Sequence, residues 1–151
     1  MCLIIDTCSF SAVFHHKVER FEPILKWIFQ GKGKLIYGGT KFAKEIEGQR
    51  TAALLHQLQT ARKLVKLPTA EVDAMEKAIK KKEPARDFDD PHILAMVAVS
   101  KCCVVCTDEE RAIPYLKRRD LYPKGVKPPK IYRNEDHADL CCKNHIVKAC
   151  E

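Results

Sequence analysis

Five short apolar runs, separated by segments with helical patterning, constrain this chain more than any other feature. The runs are "CLII" (2–5), "KLIY" (34–37), "KLVKL" (63–67), "CCVVC" (102–106) and "KIY" (130–132). Between them, "FEPILKWIF", "TKFAKEI", "TAALLHQLQTARKL", "TAEVDAMEKAIKKK", "PHILAMVAVSK" and "EERAIPYLKRR" read as helices. "NEDHADLCCKNHIV" reads as a terminal helix capped by Asn134, and residues 1–14 read as strand plus turn. Short strands alternating with helices predict an α/β fold with a mostly parallel sheet of four or five strands, covered on both faces. A length of 151 residues suits a single domain, 1–151, that buries its core without staples.

No apolar run approaches the roughly 20 residues of a membrane span, and the first residues lack the pattern of a signal peptide. A cytoplasmic location with reduced thiols is therefore expected for the eight cysteines. Cys102, Cys103 and Cys106 fall in an apolar strand, where small buried thiols are ordinary. Lys and Arg outnumber Asp and Glu by 27 to 20, and the net charge of +7 favours a polyanionic partner.

Acidic residues stand where apolar strands end. Asp6 follows "CLII", and Thr107, Asp108, Glu109 and Glu110 follow "CCVVC". In open parallel sheets, ligands gather outside the carboxyl ends of the strands, so both groups point to one edge. "KLIY" leads to a helix carrying Glu45 and Glu47, and periodicity does not choose between them. Asp90 opens a helix whose apolar positions Ile93, Leu94 and Val97 lie on its own side. Each acid has a local alternative. Asp90 before Pro91 suits an N-cap, Asp6 an Asx turn, and Asp108 and Glu109 the first turn of a helix. Convergence of separate regions on one edge is what these local readings leave unexplained. Clustered carboxylates repel unless a cation neutralises them, and oxygen ligands favour Mg²⁺ or Mn²⁺ over Zn²⁺.

The order "IIDT", "TKFAKEI", "DDPHILAMVAVSKCCVVCTDEE" and "KIYRNEDHADLC" resembles PIN-domain (PilT N-terminal-like) ribonucleases over nearly the whole chain. The resemblance implies a three-layer α/β/α sandwich and acids that bind one or two Mg²⁺ or Mn²⁺ ions to cleave RNA as an endoribonuclease. Carried over, the acids are Asp6, Glu45, Asp90 and either Asp108 or Glu109. Glu109 keeps the family's spacing after Thr, and Asp108 keeps its residue type. Cys8 stands where the family usually has Asn. Many small members are VapC-like toxins of toxin-antitoxin pairs, so the resemblance allows an antitoxin partner and a homodimer. The alternatives are a catalytically weak or inactive module that binds RNA or a protein, and a DNA nuclease of the same design.

Other motifs carry less. His92, two residues after Asp90, reads as a flanking helix residue. "GKGKLIYGGTK" lacks the Gly-Lys-Ser/Thr end of a P-loop, and no nucleophile elbow is present. The spacing of His137, Cys141, Cys142, His145 and Cys150 fits no paired zinc pattern. Basic residues cluster in "KAIKKKEPAR" and in "KRRDLYPKGVKPPK". The second cluster offers Lys117, Arg118, Arg119, Lys124 and Lys127 to RNA phosphates, with Tyr115, Tyr122 and Tyr132 for base stacking.

Overall fold

A computed structural model describes residues 1–151, the side chain of Gln49 excepted. Its five strands are β1 (Cys2–Ile5), β2 (Lys34–Tyr37), β3 (Leu64–Lys66), β4 (Val104–Cys106) and β5 (Lys130–Tyr132). Its helices are α1 (Thr7–Phe14), α2 (Glu22–Phe29), α3 (Thr40–Glu45), α4 (Gln49–Thr60), α5 (Thr69–Lys82), α6 (Pro91–Ser100) and α7 (Ala112–Leu116). The strands form one sheet in the order β3-β2-β1-β4-β5, and every pairing is parallel. No helix among the described residues is long and apolar enough to cross a membrane.

Strand periodicity divides the core into two apolar layers. Cys2, Ile4, Ile36 and Val105 face a cluster built with Phe42, Val72, Ile79, Ile93, Leu94 and Val97 from α3, α5 and α6. Leu3, Ile5, Leu35, Val104 and Cys106 face the other side, with Phe10 and Val13 of α1, Ile24 and Ile28 of α2, and Leu58 of α4. The fold is thus an α/β/α sandwich. Burial on both faces explains why the central runs are apolar without alternation, since each buried Ile or Leu adds about 1.5–3 kcal/mol. Polar residues return at the edges: Lys66 on β3 and Lys130 on β5 are exposed, which blunts pairing with other chains.

Three features depart from expectation. Residues 7–14 form helix α1 instead of a turn, because Phe10, Val13 and Phe14 recur at helical spacing and are buried against the sheet. The terminal segment forms three 3-10 turns (Glu135–Leu140, Lys143–His145 and Lys148–Cys150) instead of one helix, although Asn134 does cap the first by accepting from the Asp136 amide. The thiols are not all reduced: Cys2 of β1 is disulfide-bonded to Cys150, and the other six are free.

Gly39 fixes the entry of α3, which carries Glu45. Its φ of +85° lies in the left-handed region, and a Cβ there would stand 2.6 Å from Val72 Cγ1. Gly39→Ala is expected to lower stability by about 2–3 kcal/mol, combining backbone strain with an overpacked contact. Urea unfolding tests this, and an unchanged midpoint would refute it.

Candidate metal centre

Asp6 follows β1 directly, and its amide donates to Cys106 O at 2.9 Å, so the β1–β4 ladder sets its position. Its side chain is buried and does not cap α1. Instead Oδ2 accepts from the Thr107 hydroxyl at 2.7 Å, while Thr107 Oγ1 accepts from the Glu109 amide at 3.0 Å. The Asx-turn alternative is therefore not the one realised. Thr7 Oγ1 lies 3.5 Å from Asp6 Oδ1 and donates to Glu45 Oε2 at 2.9 Å, linking the first acid to the last residue of α3. Glu47, beyond the helix end, takes no part in these bonds.

Asp90 occupies the N-cap position of α6 with Pro91 at the first helical position, yet its side chain makes no capping bond. The simple capping role is excluded, and the carboxylate is left facing other acids. Burial, followed by the negative charges of Asp6 and Glu45, pushes the Asp90 carboxyl up to about 6, against a partial offset from Lys41. Lys41 Nζ is 4.0 Å from Glu45 Oε1 and also donates to the Asp89 carbonyl.

His92 corrects its expected role as a flanking residue. It lies on the first turn of α6, fully buried, with Nε2 3.1 Å from Glu45 Oε2. The approach lacks hydrogen-bond geometry, and neither ring nitrogen has a partner. Burial, reinforced by Lys41, holds the imidazole pKa down to about 4, so the ring is neutral near pH 7. Glu45, Asp90 and His92 each bring one ligand atom to within 4.8 Å of the others. Among the described residues no second such group occurs, and the C-terminal His and Cys residues form none. A signal for His92 existed in the sequence: it is the one ionisable side chain within "PHILAMVAVS", a helix apolar on all sides.

The late acids are held by arginines and stand outside the group of three. Asp108 accepts from Arg20 at 2.6 Å, and its amide donates to Ser9 Oγ. Glu109 accepts from Arg111 Nε at 3.2 Å and is held below its usual carboxylate range first by the Arg111 amide. The residues lie in the loop before α7, not in its first turn. Cys8 Sγ is 3.6 Å from Ser9 Oγ, and burial, then the Asp6 charge, raises its pKa, so it behaves as a thiol.

The basic segment is only partly available. Lys117, Arg119, Lys124 and Lys127 are exposed, whereas Arg118 is committed to Glu83 and Asp120. Tyr122 and Tyr132 are buried, with hydroxyls donating to Leu116 O and Arg20 O, so neither can stack on a base. The apolar surface of both rings is worth more in the core than on a loop. Tyr115 stacks on Phe88 at 4.3 Å and donates to Asp87.

The chain of donors suits a divalent cation: carboxylate oxygens in excess of nearby positive charge, and a buried imidazole with nothing to bond. Comparison of the chain with protein-family models, with curated proteins and with solved structures gives no match.

Proposed function

We propose that this chain is a divalent-metal-dependent endoribonuclease of the PIN-domain type. One observation carries the reading: Glu45 and Asp90, from distant segments, bring ligand atoms together beside His92, and Thr7 links Glu45 to Asp6 at the carboxyl edge of a parallel sheet in a chain of net charge +7. A bound Mg²⁺ or Mn²⁺ polarises a phosphodiester and lowers the pKa of a water nucleophile. Asp6, Glu45 and Asp90 would hold the ion. Thr107 and Thr7 donate to the carboxylates of Asp6 and Glu45 and would orient them for the ion, while Asp90 stands at the N-cap of α6 with its carboxylate uncommitted to capping. Arg20 neutralises Asp108, which leaves this acid a weaker candidate than the other three.

Incubating the purified protein with a mixed RNA pool, with and without Mn²⁺, and mapping the cut ends tests the proposal. Ion-dependent fragments support it, and intact RNA with every divalent ion refutes it. A parallel DNA arm separates the two polymers. Lys117, Lys124 and Lys127 supply the exposed cations for the phosphates. Replacing all three with Ala is expected to flatten the slope of log affinity against log salt by about 2, at about 0.7 per phosphate contact. Filter binding at several salt concentrations checks this.

A second reading, a nuclease-like module that binds RNA or a protein without cutting, is favoured by the arginine pairs at Asp108 and Glu109 and by Cys8. Salt-sensitive RNA retention without products distinguishes it.

A further inference from the structure

The cluster beside β1 contains a nitrogen donor that a purely acidic magnesium site does not need. His92 is fully buried, its Nε2 stands 3.1 Å from Glu45 Oε2, and both ring nitrogens lack partners. Burying such polar atoms unsatisfied forfeits their hydration with nothing in return, so a buried, unbonded imidazole among carboxylates calls for a ligand. Hydrogen bonding within the cluster does not supply one, since the imidazole approaches Glu45 Oε2 without hydrogen-bond geometry.

We infer that His92 is a metal ligand, completing with Glu45 and Asp90 a mixed nitrogen-oxygen site that selects a first-row transition ion such as Mn²⁺ or Co²⁺ over Mg²⁺. Ligand atoms bound at about 2.1 Å lie no more than about 4.2 Å apart. The three donor atoms, all within 4.8 Å of one another, need only a slight closure to meet that limit. A neutral imidazole offers one lone pair and suits transition ions, whereas Mg²⁺ prefers oxygen and retains its waters. Asp6 lies outside the group of three and is linked to it through Thr7. The inference shares with the proposed function the presence of a divalent ion among these acids, and it does not depend on ribonuclease chemistry.

The test is pulsed electron paramagnetic resonance on the full-length protein, stripped with EDTA and reloaded with Mn²⁺. Nitrogen modulation from a bound imidazole is expected in the wild type and lost in His92→Gln. Mn²⁺ affinity should fall in that variant by at least the roughly 10–100-fold that losing an outer-sphere partner costs. Circular dichroism checks that the variant folds. If it does not, histidine-labelled wild type replaces it, and sub-stoichiometric Mn²⁺ should broaden the His92 imidazole most strongly of the six. Failure to bind Mn²⁺, bound Mn²⁺ without nitrogen modulation, modulation that survives His92→Gln, or stronger broadening of a different imidazole overturns the inference. RNA cleavage separates the two ideas. Cutting without nitrogen modulation leaves the nuclease standing and removes His92, while modulation without cutting leaves the metal centre and removes the nuclease.

Discussion

Asp6→Asn and Asp90→Asn are each expected to lower Mn²⁺-dependent RNA cleavage by about 10³-fold or more, comparable to removing a group that stabilises transition-state charge. Both substitutions conserve shape. An amide oxygen at position 6 still accepts from Thr107, and position 90 loses no capping bond because its carboxylate makes none. Loss of activity with an unchanged circular dichroism spectrum therefore reports loss of charge at the ion. Excess EDTA should silence the wild type to the same extent. Cleavage at the wild-type rate by either variant, or in EDTA, refutes the scheme. Asp108→Asn should cost less, since the Arg20 guanidinium already neutralises that carboxylate.

Asp90→Asn should also make the ion-free protein more stable at pH 7, by about 1–2 kcal/mol after allowing for the residue's partial exposure to solvent. Its carboxyl is raised from an ordinary 3.8 to about 6 in the fold, first by burial and then by Asp6. Between those values the folded chain binds more protons than the unfolded one. Stability then falls as pH rises from about 4 to about 6, and the deficit persists above that range. The Asn variant carries no such charge, so its advantage appears at pH 7 and disappears near pH 4. A divalent ion should reverse the order at pH 7 by stabilising the wild type selectively. Thermal unfolding at both pH values, with and without Mn²⁺, checks all four combinations. A variant less stable than wild type at pH 7 without metal contradicts this account of a buried carboxylate beside Asp6.

Much of the fold is legible because burial writes itself into composition. Strands β1, β2 and β5 occupy the runs expected of them, and β3 and β4 fall inside theirs. Helix α5 spans "TAEVDAMEKAIKKK" from its first residue to its last, where three lysines answer the helix dipole. Helix α1 escaped because it follows β1 without a loop, and Asp6, the residue between them, makes no side-chain cap to announce a start. The terminal segment misled in the opposite way. Its Asn134 cap is real, but only Leu140 and Cys150 are buried beyond it, too few to hold a long helix to the core.

The sequence by itself determined the parallel sheet and the acids at its carboxyl edge, since apolar patterning fixes which residues are buried and where a strand must stop. Only the tertiary structure decided which acids share space. Glu45 instead of Glu47 reaches Thr7, Arg20 and Arg111 take Asp108 and Glu109, and His92 brings its unbonded Nε2 to Glu45. Those outcomes depend on contacts between residues as far apart as Arg20 and Asp108. Local periodicity places a side chain on a face, but its partner arrives on another element, and packing alone sets the distance between them.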